Sequence, residues 1–221
     1  MRTRIGVAVT ALAAVAGLAL AAPASAGGMT PQQHAPGSGT YPSSAAVHGY
    51  QFQTEPYGMN GAWCGPAATR LAITAQGKYP SVSTLASEER AGGSRSGAGT
   101  ATIGLVTTSL NKHIGRNFYQ NKTSKSLTTL KRDLRYDFTH GYVIVANVKG
   151  SAKDTQGRTR RYSGGHYLDV VGYYNGASRV TIEDIAYPRT PSSGSGYHRR
   201  YNMTTANLLN WINFGYSGYS A

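Results

Sequence analysis

The chain has 221 residues and a formal net charge of +13, with 22 Lys and Arg against 9 Asp and Glu. This length allows one domain with a sizeable core beyond residue 26 and disfavours two ordinary domains. A single cysteine excludes an intramolecular disulfide framework. The excess of Lys and Arg favours anionic partners but does not indicate which kind.

The N-terminus has the three parts of a secretory signal peptide. A short basic start precedes an apolar run at residues 5–22, and small residues follow up to Ala26. The pattern predicts a signal peptide over residues 1–26 and a secreted, extracellular product. An uncleaved membrane anchor is the alternative, but the run is rich in Ala and a small-residue site follows it directly. No later segment approaches the roughly 20 apolar residues that span a bilayer, so we expect no transmembrane anchor after signal removal.

The next segment differs in composition from the rest of the chain. Residues 27–46 are rich in Gly, Pro, Ser and Gln and carry few large apolar side chains. They cannot bury enough surface to order themselves, which predicts a disordered linker or pro-segment. One domain is then expected over residues 47–221.

Within this domain the hydrophobic period is helical first and strand-like afterwards. The helical spacing of apolar residues and the Gly residues that end it predict four helices, and a fifth is expected near the C-terminus. Alternating or continuous apolar runs after residue 141 predict neighbouring antiparallel strands, two of them joined by an Asn175-Gly176 turn. This order indicates an α+β domain. The predicted helices cover residues 62–77, 81–90, 102–111, 124–140 and 205–213, and the strands cover 142–148, 165–174 and 179–185; the basic residues at 158, 160 and 161 are expected in a loop.

Cys64 lies in the first turn of the first predicted helix. Pro66 supports this position, because proline is tolerated where helix N–H groups have no partner. The helix dipole and unpaired N–H groups stabilise a thiolate, which is the nucleophilic form of cysteine. The alternative is a buried, inert cysteine beside Trp63. A lone thiol at a helix start in an exported chain favours reactivity.

A thiolate needs a base, and His166 is the histidine best placed to supply one. It begins an apolar strand directly after Ser163-Gly164-Gly165, where the glycines leave room for a substrate. His140 and His198 remain as alternatives. Alone, His166 reads as an ordinary strand-end histidine, and its pairing with Cys64 makes it the preferred base.

An acceptor must orient the imidazole, and Asp184 is the candidate. It follows the Asn175-Gly176 turn, which returns the next strand beside His166. Asp169 and Glu183 are less suitable because odd offsets place them on the opposite strand face. The alternative is that the carboxylate of Asp184 accepts hydrogen bonds only from nearby backbone N–H groups.

The oxyanion of a tetrahedral intermediate needs hydrogen-bond donors. The backbone N–H of Cys64 is one candidate. A side-chain amide upstream is the other, and both Gln53 and Asn60 are available.

Three motifs together resemble a known family. They are Trp63-Cys64-Gly65-Pro66-Ala67-Ala68, then Gly165-His166-Tyr167, then Glu183-Asp184. They resemble the papain-like cysteine peptidases (clan CA) of the double-glycine leader peptidase type, family thirty-nine, and especially its stand-alone secreted peptidase-like members. The resemblance covers residues from about 50 to 211.

The resemblance implies a papain-like α+β fold with Cys64 as nucleophile, His166 as base and Asp184 as orienting residue. It also implies that an upstream glutamine completes the oxyanion hole, which matches Gln53. The stretch between Gln53 and Cys64 is longer than is usual in the family, so Asn60 stays open. No transporter segments follow, so the family's cleavage after double glycine is not carried over.

The expected activity is hydrolysis of peptide or related amide bonds through a thioester, by a monomer without metal or other cofactor. The partner is then a peptide or protein substrate, with an anionic cell-wall polymer as a further partner and no specific nucleic acid. One rival is a catalytically inactive papain-like binding module for an anionic cell-wall or protein partner. Another is a cell-wall amidase or transpeptidase; the NlpC-type amidases usually have Asp-Cys-Ser/Gly where this chain has Trp63-Cys64-Gly65.

Overall fold

A computed structural model describes residues 40–56, 62–92, 98–123, 126–186, 198–214 and 218–221. The predicted signal peptide, the predicted linker up to residue 39, and Asn60 lie outside these ranges. None of the helices in the described ranges has the length and apolar character needed to cross a membrane.

Five helices lie in the described ranges, at the places where the apolar spacing predicts them. Ser81 and Ser126 start two of them, and each side chain accepts the backbone N–H of the residue three positions later, Thr84 or Thr129. This is the usual serine N-cap. The helices are α1 (Cys64–Thr74), α2 (Val82–Glu88), α3 (Ile103–Ile114), α4 (Leu127–Thr139) and α5 (Thr205–Phe214).

The strands form one antiparallel sheet. The strands are β1 (Ala45–Ala46), β2 (Asn121–Lys122), β3 (Ile144–Lys153), β4 (Thr159–Tyr174), β5 (Arg179–Glu183), β6 (Arg200–Thr204) and β7 (Tyr219–Ser220). Their order in the sheet is β2-β7-β3-β4-β5-β6, and β1 pairs with β4 as well. The central pair joins the two longest strands, β3 and β4.

The sheet is more extensive than the sequence indicates. The predicted loop around residues 158–161 is wrong in part, because Arg160 and Arg161 lie in β4 and pair with Ala152 and Ser151 of β3. Polar side chains on this part of the β3–β4 ribbon hide the strand period. Strand β1 contains the last two residues of the predicted linker, and it pairs with Tyr173 and Gly172.

The pairing of β4 with β3 has a register shift just before His166. Val148 of β3 pairs with His166, whereas Gly150, two residues further along β3, pairs with Tyr162, four residues back along β4. Two extra β4 residues are therefore accommodated in an irregularity, and Gly165 takes a positive φ of 94° within it. The irregularity brings Tyr162 and His166 much closer together than a regular strand allows.

Helix α1 lies inside the core, against β4 and helices α2 and α3. All of its residues except Arg70 are buried. Small residues permit this close approach: a Cβ added at Gly65 would lie 2.8 Å from the carboxyl oxygen Oε2 of Glu89. The packing fixes the start of α1, and with it Cys64, relative to the sheet.

Candidate active site

Cys64 is the first residue of α1 and is 5% exposed. The residue before it, Trp63, is held from two sides. Its backbone N–H donates to Oε1 of Glu55 (2.8 Å) and its indole Nε1–H to the carbonyl of Gly92 (2.9 Å). The thiol therefore lies at the positive end of a fixed helix.

His166 lies between the thiol and a carboxylate. Its Nε2 is 2.9 Å from Oδ1 of Asp184, and the ring also hydrogen-bonds to the side chain of Cys64. The imidazole is 3% exposed. Burial alone would lower the pKa of His166, but Asp184 and Cys64 outweigh it and raise the pKa to about 10. An imidazolium at neutral pH follows from this arrangement.

Asp184 follows directly after β5, and its backbone N–H donates to the carbonyl of Arg199 (2.7 Å). Besides His166, its carboxylate accepts hydrogen bonds from the hydroxyls of Tyr162 (2.7 Å) and Tyr201 (3.0 Å) and from the N–H of Ala186 (3.1 Å). Burial raises the pKa of Asp184, but the charge of His166 and these donors overcome it, so the pKa is lower than usual.

Comparison with known proteins places this chain in a family. The Peptidase_C39 like family matches residues 47–219. The chain belongs to this family. No match was found among curated proteins.

Two solved structures share the fold of this C39-like chain. One is a protein from Bacillus anthracis described as a C39-like peptidase (TM-score 0.54, 14% identity, covering 80% of this chain and 96% of that chain). The other is digestive procathepsin L 3 of Tenebrio molitor larval midgut (TM-score 0.50, 12% identity, covering 87% of this chain and 72% of that chain). The predicted papain-like α+β fold is confirmed, and family and fold indicate a papain-like cysteine peptidase.

The residues proposed from the sequence of this C39-like chain meet in space. Cys64, His166 and Asp184 form one network, which we call the Asp184–His166–Cys64 network. The alternative bases lie elsewhere. His140 is exposed after α4, with Nδ1 at 2.7 Å from the carbonyl of Tyr136, and the exposed His198 faces Nη1 of Arg158 (2.6 Å).

Among the described residues, the two rejected carboxyl groups make no hydrogen bond to this network. Glu183 accepts hydrogen bonds from the hydroxyl of Tyr50 (2.8 Å) and from Nε of Arg199 (2.9 Å). Asp169 is buried in β4 three residues after His166. The alternation of strand side chains therefore separates the candidates as expected.

The oxyanion-hole residues stay a prediction. Gln53 is partly buried, and its side-chain Nε2 donates to the carbonyl of Thr54 (2.9 Å). Asn60 lies outside the described residues. The N–H of Cys64 lies in the first turn of α1, where backbone N–H groups have no hydrogen-bond partner within the helix.

Three residues of the site were missed from the sequence. Tyr162 and Tyr201 bind Asp184, and Glu55 holds Trp63 just before Cys64. The even spacing of Tyr162 and His166 is a weak signal that they share a strand face. Nothing in the sequence pattern distinguishes Glu55 or Tyr201.

A further buried carboxyl group lies behind Cys64. Glu89 follows helix α2 and approaches the backbone of Gly65, and its Oε2 accepts the hydroxyl of Thr100 (2.8 Å). Burial raises the pKa of Glu89 to about 7, although the side chains of Thr69 and Thr100 oppose the shift. The described residues include no group of three or more His, Cys, Asp or Glu that could hold a metal ion.

Proposed function

We propose that this chain is a secreted, monomeric cysteine peptidase that hydrolyses peptide or related amide bonds through a thioester acyl-enzyme. Cys64 is the nucleophile, His166 the general base and acid, and Asp184 the orienting carboxylate. The observation that carries the proposal is the buried Asp184–His166–Cys64 network at the start of α1.

In the first half of the reaction, the Cys64 thiolate attacks the scissile carbonyl carbon and the carbonyl oxygen becomes an oxyanion. The N–H of Cys64 and the amide of Gln53 or Asn60 would donate to this oxygen. The tetrahedral intermediate then collapses, and the His166 imidazolium gives its proton to the leaving amine.

In the second half, His166 accepts a proton from water as the water attacks the thioester. Collapse of the second intermediate releases the carboxylic acid and restores the thiolate–imidazolium pair. Asp184 stays ionised throughout and keeps the imidazole oriented through Nε2.

Peptide cleavage in ¹⁸O-labelled water tests this proposal. The chain is incubated with a mixture of proteome-derived peptides, and new termini are identified by mass spectrometry. We expect new C-termini that carry ¹⁸O and that are lost in Cys64→Ala. Joined peptides without ¹⁸O would instead indicate a transpeptidase. Cleavage of cell-wall fragments, supplied as a second substrate, without cleavage of peptides would indicate an amidase. If neither peptides nor cell-wall fragments give a Cys64-dependent product, and the thiol is labelled slowly, the result would support the inactive binding module instead.

A second function, binding of an anionic partner, is supported by the distribution of charge. All of the acidic side chains of the chain lie in the described ranges, and none is fully exposed; even Glu88 has only 19% of its side chain accessible. The exposed charges of the described residues are therefore all positive. They are Lys78, Arg90, Lys112, Arg116, Lys149, Lys153, Arg161, Arg179, Arg199 and Arg200.

This surface fits an anionic cell-wall polymer better than a small acidic ligand, because its charges are spread over the molecule. Lys149, Lys153 and Arg161 lie together on the exposed face of the β3–β4 ribbon. We expect cosedimentation with anionic cell walls that falls with salt and falls further when these three are changed to Gln. Retention that is equal on walls stripped of their anionic polymer would contradict this function.

A further inference from the structure

The carboxylate of Asp184 has more hydrogen bonds than orientation of His166 alone requires. Oδ1 is 2.9 Å from Nε2 of His166 and accepts the N–H of Ala186 at 3.1 Å. Oδ2 accepts the hydroxyl of Tyr162 at 2.7 Å and that of Tyr201 at 3.0 Å. An ionised carboxylate has about four acceptor positions, so these four donors occupy all of them. A protonated carboxyl group has one position fewer and does not fit the same set of donors.

Tyr162 has a second contact in the site. Its ring stacks on the imidazole of His166, with 3.9 Å between ring centroids and an interplanar angle of 26°. The same ring also stacks with that of Trp211 in α5, at 5.7 Å and 19°. One tyrosine therefore binds the carboxylate through its hydroxyl and covers a face of the imidazole with its ring.

The irregularity in β4 makes both contacts possible. In a regular strand, residues four apart are separated by about 13 Å, which prevents ring stacking. The register shift opposite Val148 and Gly150, with the positive φ of Gly165, shortens this separation. The glycines before His166 thus have a structural use in addition to leaving space for a substrate.

Tyr201 reaches Asp184 from the neighbouring strand β6 and is fixed there. It is 4% exposed, and the guanidinium of Arg160 lies 4.2 Å from its ring centroid. Arg160 in turn donates to Oδ2 of Asp154 (2.8 Å). Burial and Asp184 raise the pKa of Tyr201 well above its usual value, so its hydroxyl remains a donor.

We propose that Tyr162 and Tyr201 are positioning residues: their hydroxyls hold Asp184 in place as an ionised acceptor for His166, and the ring of Tyr162 keeps water from the imidazole. This inference rests on the proposed function, because it concerns the same network. It predicts that loss of either hydroxyl changes the pH range over which the thiolate–imidazolium pair exists, in addition to any change in stability.

The test is the rate of Cys64 alkylation by iodoacetamide as a function of pH, which needs no substrate. Tyr162→Phe keeps the ring and removes one donor from Asp184. With one donor fewer, Asp184 is protonated at a higher pH, and the imidazolium loses its counterion there. We therefore expect the acidic limb of the rate profile to move up by about one pH unit. Tyr201→Phe should move it in the same direction. Tyr162→Leu should also lower the plateau rate, by about tenfold, because water reaches the imidazole.

Tyr173→Phe is the matched control. Tyr173 lies in the same strand and donates its hydroxyl to the carbonyl of Pro42 (2.9 Å), away from the network. It should lower the melting temperature without moving the limb. If Tyr162→Phe and Tyr201→Phe behave like Tyr173→Phe, the positioning role is wrong while the proposed function stands. If the unmodified chain shows no rapid, His166-dependent labelling, the proposed function itself fails, and the positioning role fails with it.

Discussion

Two buried carboxyl groups near strand β4 have opposite surroundings. Asp184 accepts hydrogen bonds from an imidazole, two phenols and a backbone amide. Asp169 is 0% exposed, and neither of its carboxyl oxygens has a hydrogen-bond partner among the described residues. Burial raises the pKa of both, but the pKa of Asp184 ends below its usual value and that of Asp169 well above it. Both groups are buried, so the difference comes from the donors and the His166 contact at Asp184 and from the nearby charge of Glu183 at Asp169.

Glu89 is intermediate between these two groups. It is also buried, with one hydrogen bond to Oε2 from Thr100 and a pKa raised to about 7. The pKa of these three carboxyl groups thus rises as their donors decrease in number. Only the group with the most donors is bound to a histidine.

The largest expected difference between the two aspartates is in catalysis. Asp184→Asn replaces the counterion of His166 with a neutral amide, so kcat/KM on a peptide substrate should fall roughly 100-fold. Asp169→Asn replaces a neutral carboxyl group with a neutral amide of the same shape, and kcat/KM should stay within about twofold. Equal losses in the two variants would contradict the assignment of charge to Asp184 alone.

A smaller difference is expected in the pH dependence of stability. Because the pKa of Asp169 is raised on folding, its contribution to stability is complete below its unfolded pKa and is lost as pH rises. The free energy of unfolding of the unmodified chain should therefore fall, relative to that of Asp169→Asn, by up to about 1.4 kcal/mol per pH unit above about pH 4. Urea titrations at several pH values measure this slope. A difference that does not vary with pH would mean that Asp169 is ionised in the folded protein.

The smallest expected effect is that of Glu89. The contribution of Glu89 to the free energy of unfolding is complete below the ordinary glutamate pKa of 4.5, and it is lost as pH rises through about 7. Glu89→Gln should remove this loss, which amounts to roughly 1–3 kcal/mol and should be complete by about pH 8. The same urea titrations should show the Glu89→Gln and unmodified curves diverging between these two pH values and running parallel above them. Divergence that continues above about pH 8 would place the pKa of Glu89 higher, nearer to that of Asp169.

The three residues of the network could be selected from the sequence because each of them has a local signal. Pro66 and the helical spacing place Cys64 at a helix start, and a single turn brings Asp184 back to His166. These inferences need only the periods of helices and strands. The five helices follow from the same periods, with their ends displaced by a few residues.

The contacts that surround the network could not be predicted in the same way. Tyr162 stacks on His166 only because of an irregularity in β4, and no sequence period reveals a two-residue shift in register. The polar residues of the β3–β4 ribbon hide a strand, and Tyr201 comes from a strand too short and polar to detect. Glu55 depends on a tertiary contact with the start of α1.

The most direct test of the central claim is the pH dependence of Cys64 alkylation by iodoacetamide, compared between the unmodified chain and His166→Ala. The network predicts rapid labelling well below pH 8.5, about the pKa of a free thiol, and its loss in His166→Ala. Slow labelling that follows a free-thiol titration and does not depend on His166 would contradict the thiolate–imidazolium pair and, with it, the proposed peptidase.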